Sequence, residues 1–390
     1  VSSLGFAATL LVLGGCPAGA GQLRPGGDAV EGPAGPSQGP GATVVGGGAE
    51  RHGPGASPSA GQPAEGTGRV AEALLGPERL RVIFVDVGQG DSIILHTASG
   101  KTVLVDAGTK KGSRAVRREL RALGVDHLDL VMMTHAHNDH MGGMVSTLTA
   151  FPPRLFLDPG YHATSAGYQR LLEFLVAHEI PTKLARRGRR IDLGDGVLLT
   201  LLEPEDPLLR GTRSDANSNS IIARVTVGAF SMLLTGDAEE PSENRLLAGG
   251  GELRCHVLKV AHHGGRYSTK SRFLNLIRPE IAVISVGARN RYGHPTEETL
   301  GRLERHHVRV YRTDLYGTIT LRTDGRVWTI ETEREPEATP VGWRARRPAR
   351  GGSSEPAPTG TWLVVVAREA GSLAVRGCVM SPEVEARRAA

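Results

Sequence analysis

Aromatic side chains are scarce in this chain: Phe, Tyr and Trp make up 4% of its 390 residues, and none occurs between Phe6 and Phe84. Long apolar runs are missing as well. No stretch reaches the roughly 18 residues that a membrane-spanning helix requires, so a bundle of such helices is not expected. Cysteine is limited to Cys16, Cys255 and Cys378. The last two are able to pair in an oxidising compartment, but their spacing does not demand it. What is abundant is Gly (52) and Pro (24). Residues 17–78 hold 26 of these among 62 positions. With so little apolar surface to bury, that stretch is expected to be a disordered tether. Its Gly spacing has no strict period of three, which excludes collagen. Residues 79–334 are enough for one domain with a large core.

At the N-terminus an apolar run, Leu4 to Leu13, fits the central region of a secretory signal. Leu13-Gly14-Gly15-Cys16 resembles a bacterial lipobox, in which the cysteine is diacylated and becomes the new N-terminus. Two acyl chains suffice for stable anchoring. The expectation is a signal peptide over 1–16, lipidation at Cys16 and an exported domain held at a membrane, facing periplasm or exterior.

From Arg79 the pattern changes. Arg81–Val87, Ser92–His96 and Lys101–Asp106 read as strands, Ser113–Leu123 as a helix with Ser113 as its cap, and Asp129–Thr134 as a short buried strand. Strand and helix then alternate through Arg154–Leu157, Ala166–His178 and Val197–Leu202. A hairpin is expected at Ile221–Val227 and Phe230–Thr235. Helices at Glu239–Ala248, Thr269–Ile277 and Thr296–His306 separate strands at Val257–Ala261 and Ile281–Val286 and the closing strands up to Thr332. Hairpins mixed with strand–helix units imply a layered α/β architecture, two sheets with helices outside them.

Each cluster of reactive side chains falls just after a strand. His135-Ala136-His137-Asn138-Asp139-His140 places four potential ligands within six residues. Imidazole and carboxylate are what a borderline divalent ion such as zinc takes. In an irregular loop, His135 and His137 can reach one ion while Asp139 and His140 point to another. Asp237 in Leu234-Thr235-Gly236-Asp237 reads either as a helix cap or as a ligand. His262-His263 follows the strand that contains Lys259. Together these supply two ions, with Asp237 able to bridge.

These residues, with Phe84-Val85-Asp86-Val87-Gly88-Gln89-Gly90-Asp91-Ser92, Leu104-Val105-Asp106-Ala107-Gly108, Asn219-Ser220 and Tyr292-Gly293-His294-Pro295, resemble the metallo-β-lactamase fold. More narrowly, they resemble the soluble hydrolase domain of the ComEC competence proteins and its secreted stand-alone relatives. The likeness covers about residues 79–333 in unbroken order. It implies an αββα sandwich of two mixed sheets and a site for two divalent ions, zinc or manganese. By position His135 and His137 would hold the first ion. Asp139, His140 and one of His262 and His263 would hold the second, His262 being favoured as the first residue after the strand. Asp237 would lie between the ions. Asp106, with Asp86 and Asp91, would brace the ligands from behind. Asp139, His294 and Lys259 would take part in the chemistry, His294 by protonating or polarising the leaving oxygen. Asn219, Ser220, Arg266 and Lys270 would hold substrate. Two departures stand out. The ComEC channel proteins usually have Asp where this chain has His137. Lactamases proper use a further His before the bridging Asp; here the candidates are His162 and His178, and no motif supports either.

The metals alone do not choose a substrate, since such a site opens phosphodiesters, lactones or lactams. Residues 79–334 carry 35 Lys and Arg against 29 Asp and Glu, with clusters at Arg186–Arg190 and at Arg266, Lys270 and Arg272. A basic flank beside the metals suits a phosphate backbone. The expectation is therefore an exported phosphodiesterase or nuclease acting on DNA, the alternative being a small-molecule lactone, lactam or ester hydrolase. Few aromatics means that binding is expected to be electrostatic rather than by base stacking. The tail 335–390 falls outside the likeness; 361–367 reads as an added edge strand. No protein partner is implied.

Overall fold

The computed structural model describes residues 75–334 and, as backbone only, two further strands, Trp362–Glu369 and Ser372–Cys378. The signal segment, Cys16, most of the tether and the rest of the tail lie outside the described residues.

The first six strands are β1 (Leu80–Phe84), β2 (Ile93–Thr97), β3 (Thr102–Val105), β4 (Leu130–Met132), β5 (Phe156–Asp158) and β6 (Thr182–Leu184). The chain then builds a second sheet from β7 (Arg190–Asp192), β8 (Val197–Glu203), β9 (Ile222–Val227), β10 (Phe230–Leu234), β11 (Val257–Lys259), β12 (Ile281–Ile284) and β13 (Arg309–Arg312). It returns to the first sheet with β14 (Ile319–Thr323), β15 (Val327–Thr332), β16 (Trp362–Glu369) and β17 (Ser372–Cys378). The first sheet runs in the order β17-β16-β15-β14-β1-β2-β3-β4-β5-β6 and the second in the order β13-β12-β11-β10-β9-β8-β7. Both are mixed. β1 pairs antiparallel with β2 and β14, whereas β3, β4 and β5 are parallel neighbours. In the second sheet β10, β11 and β12 are parallel.

Alternation along the strands explains the layers. In β1, Leu80, Val82 and Phe84 join Met232, Val225, Leu199 and Val283 in a core between the sheets. Ile83 points the other way, with Ile94, Leu104 and Val131, against Val116 and Leu120 of the helix Ser113–Ala122 and Leu171 of the helix Ala166–Ala177. The outer face of the second sheet, with Leu233, Leu258 and Ala282, is covered by Leu246, Phe273 and Leu303 from the helices Glu240–Gly249, Ser271–Ile277 and Glu297–Arg305. Period-two side chains with apolar residues on both faces force each sheet to be covered twice. The result is the expected helix–sheet–sheet–helix sandwich.

Three details depart from the sequence reading. β6 and β7 are absent from it, because these three-residue edge strands are largely exposed and lack an apolar alternation. Ser113 is not a cap: the position before the helix is Gly112, and Ser113 Oγ donates to the Lys110 carbonyl at 2.8 Å. β1, β4, β11 and β12 are also shorter than expected, ending at Phe84, Met132, Lys259 and Ile284. The residues after β4 and β11 leave the sheet at once and form the loops that carry the histidines.

Candidate metal centre

The loops after β1, β3, β4, β10, β11 and β12 bring the reactive side chains together. Asp106, directly after β3, is completely buried. Its Oδ1 accepts from the Thr134 backbone N–H at 2.8 Å, and its Oδ2 accepts from Thr134 Oγ1 at 2.6 Å and His140 Nδ1 at 2.8 Å. One carboxylate thus fixes the start of the histidine loop and the tautomer of His140, leaving His140 Nε2 to face Asp237 Oδ1 at 3.2 Å.

The turn after β1 packs against the same loop. Asp91 N–H donates to the Asp139 carbonyl at 3.1 Å. A Cβ on Gly90 would stand 2.1 Å from that carbonyl oxygen, and Gly90 has a φ of 133°, so only glycine fits. Asp91 is buried between Lys259 Nζ, 2.7 Å from Oδ2, and His263 Nδ1, 3.3 Å from Oδ1. His263 Nδ1 is also 2.9 Å from the Ser285 carbonyl, which turns Nε2 toward Asp139 Oδ2 (3.4 Å) and Asp237 Oδ2 (3.7 Å).

Two sets of donor atoms result, each lying within 4.8 Å of one another and sharing Asp237: His135, His137 and Asp237, and Asp91, His140, Asp237 and His263. Of these, His137, Asp237 and His263 line a cavity of about 340 Å³, together with Gln89, Asn138, Asp139, His262, Tyr292 and His294.

Electrostatics mark the cluster. Burial and the nearby His140 charge hold His135 well below the ordinary histidine range. Burial also opposes a charge on His140 and His263, but it is outweighed. Asp237 and Asp106 lift His140 well above that range, and Asp237, Asp139 and Asp91 lift His263 to about 10. Burial works against the charge on Asp237, yet the surrounding His140, His263 and His262 keep it well below the carboxylate range. His294 is pushed down to about 4 by burial and by the charges of His262 and His263.

The donor set fits divalent ions. His140 Nε2, His263 Nε2 and Asp237 Oδ1 are buried without a well-formed hydrogen bond. Buried polar atoms are seldom left so, and all three converge on one spot. Nitrogen and carboxylate donors in such groups suit zinc or a similar ion.

The pattern of the metallo-beta-lactamase superfamily matches residues 85–288, more than half the chain. The chain belongs to this superfamily. Curated relatives include ComE operon protein 3 of Bacillus subtilis, 30% identical over 266 residues (64% of this chain, 34% of that protein). Competence protein ComA of Neisseria gonorrhoeae is 32% identical over 246 residues (62% and 32%). The chain spans about a third of the length of these relatives. Among solved structures, CmlA, a diiron beta-hydroxylase from Streptomyces venezuelae, matches at a TM-score of 0.42 and 16% identity, over 63% of this chain and 55% of that one.

Within this site His135, His137, His140, Asp237 and His263 converge; Asp91, expected only as a brace, joins the second donor set, whereas Asp139 stays outside both sets, its Oδ2 3.4 Å from His263 Nε2. Asp237 is not a helix cap, since the next helix begins at Glu240. Several further expectations need correction. His263, not the favoured His262, joins His140 in the second group, because left-handed backbone at both residues (φ 50° each) turns the second ring inward. Lys259 does not reach a substrate: it is fully buried, and its Nζ is taken by Asp91 and the Val260 carbonyl. Asn219 and Ser220 are buried braces. Asn219 binds the Leu209 and Asp215 backbone, and Ser220 Oγ accepts from the Asp237 N–H at 3.3 Å. Arg266 and Lys270 do not line the cavity and face acids, Glu298 at 3.7 Å and Glu240 at 3.5 Å.

Asp86 shapes the turn, accepting from Gly88 N–H and pairing with Arg334 at 3.1 Å, with no contact to the histidines. His162 lies beside Tyr168, and His178 closes its helix on the Phe174 carbonyl; neither is in either donor set. Gln89, Asn138 and Tyr292 line the cavity although the sequence reading gave them no role. All three stand inside motifs quoted for other residues, the only signal that marks them.

Proposed function

We propose that the chain is an exported, metal-dependent phosphodiesterase acting on DNA, held at a membrane through an acylated Cys16. The observation that carries the hydrolase part is the pair of histidine–carboxylate groups sharing Asp237 at the edge of a cavity. DNA as substrate is supported by the competence proteins among the relatives and by the six-charge basic excess of residues 79–334.

Two divalent ions, zinc or manganese, would supply an activated water and neutralise charge on the phosphate oxygens. His135, His137 and Asp237 would hold one, and His140, His263 and Asp237 the other, with Asp139 at its edge. The chain's own groups do the rest. Asp106 and Asp91 keep His140 and His263 aimed inward. Asp139, partly exposed at the cavity wall, holds a charged carboxylate toward the reacting centre, where it orients a water proton. His294 is neutral at pH 7, so its part is a hydrogen bond to the leaving oxygen rather than delivery of a stored proton.

The test is purified full chain with single- and double-stranded DNA in Mn²⁺ or Zn²⁺. Cleavage is expected with at least one metal, falling a hundredfold or more in His137→Ala. His294→Ala should keep its metal and lose turnover. No cleavage of DNA by a metal-loaded protein, with efficient lactone or lactam opening, would replace this reading with the small-molecule one.

A further inference from the structure

His262 is left without the role its position suggested, yet its surroundings are built with care. The rings of His262 and His263 diverge, their centroids 6.3 Å apart and their planes 68° to one another. His262 Nδ1 stands 3.2 Å from Glu239 Oε1. Glu239 is itself buried, bound by Arg213 and by Asn217 Nδ2 at 3.1 Å. A carboxylate behind one ring nitrogen is the usual backing of a metal-ligating histidine, because it fixes the tautomer and aims the other nitrogen. Asp106 does this for His140 in the same site.

The other nitrogen, His262 Nε2, lies 3.8 Å from Asp237 Oδ2, the oxygen that His135 Nε2 also approaches at 3.8 Å. That separation is too long for a hydrogen bond. It suits two donor atoms sharing one ion, since bonds of about 2.1 Å meeting at roughly 110–130° set the donors about 3.4–3.8 Å apart. The first group, His135, His137 and Asp237, has three donors where four are usual.

We infer that the two histidines are divided between the ions: His263 serves the second site, and His262 completes the first, with Glu239 as its positioning residue. His262 is outside the tight three-donor set, so loading draws its ring inward, a movement that its partly exposed side chain (21%) permits. The inference rests on the metal-centre reading above and not on DNA as the substrate.

The experiment uses the full chain, stripped with a chelator and titrated with Co²⁺, reading ions bound per chain and the visible absorption that reports coordination. Wild type is expected to take two ions. His262→Ala should keep one tightly and bind the other at least tenfold more weakly, with a changed cobalt spectrum. His263→Ala should weaken the other site instead. Glu239→Gln, which preserves the ring, should weaken the first site ten- to a hundredfold and carries the test if His262→Ala does not fold, as judged by circular dichroism of the metal-free proteins. Two ions bound as tightly in His262→Ala or Glu239→Gln as in wild type would overturn the inference alone. A wild type that binds no ion would overturn the metal-centre reading with it.

Discussion

Asp106 holds a left-handed backbone position, φ 58°, and spends both carboxylate oxygens on the histidine loop. Asp106→Asn keeps the shape but removes the charge that fixes the His140 proton on Nδ1. Metal affinity at the second site is expected to fall ten- to a hundredfold, with little change at His135 and His137; titration of the stripped protein checks it. The same residues predict a pH dependence. His263 sits at about 10 in the metal-free protein, above its unfolded value of 6.5, so its ion pairs stabilise the metal-free fold fully below about 6.5 and are lost as pH rises through about 10. An ion must displace that proton, so affinity rises with pH over the same window. The gap in melting temperature between loaded and stripped protein is therefore expected to widen from pH 6 to pH 9. A constant gap would contradict the assignment of His263.

Strands of three to five residues carry the centre, and their ends matter more than their middles. Gly90 lets the β1–β2 turn lie on the Asp139 carbonyl. Gly90→Ala is expected to cost about 1–3 kcal/mol of stability and to lower metal content, measured by thermal unfolding and elemental analysis. Much of the strand framework was legible in the sequence, because Leu80–Phe84, Phe230–Leu234 and Ile281–Ile284 are largely apolar, interrupted only by Arg81 and Ser231, and are followed by glycine or polar turns. So were the ligand loops, since three histidines within six residues have few other readings. What stayed hidden was direction. Spacing does not reveal that left-handed backbone at His262 and His263 sends consecutive rings apart. It does not show that Lys259 ends a strand inside the protein rather than at its surface. Burial of Lys259, Asn219 and Ser220 depends on the second sheet closing over the first, which is a property of tertiary packing.

At the scale of the molecule, two sheets from distant parts of the chain meet so that the loops after β1, β3 and β4 face those after β10, β11 and β12. Asp237 belongs to both donor sets because it sits on that seam. The seam also bears on how DNA would be held. With Arg266 and Lys270 facing acids, retention would depend on the overall basic excess and on the exposed Tyr292 at the cavity. Binding of single-stranded DNA is expected to weaken about linearly on a log–log plot between 50 and 200 mM salt, and Tyr292→Ala should add a smaller, salt-independent loss of about 1–3 kcal/mol. A single centre of two ions joined through Asp237 is tested by counting ions per chain in wild type and Asp237→Asn by elemental analysis, with folding confirmed for both. Two ions are expected in wild type, with weakened binding at both sites in the variant. Two ions retained with wild-type affinity in Asp237→Asn, or none in wild type, would contradict that single centre.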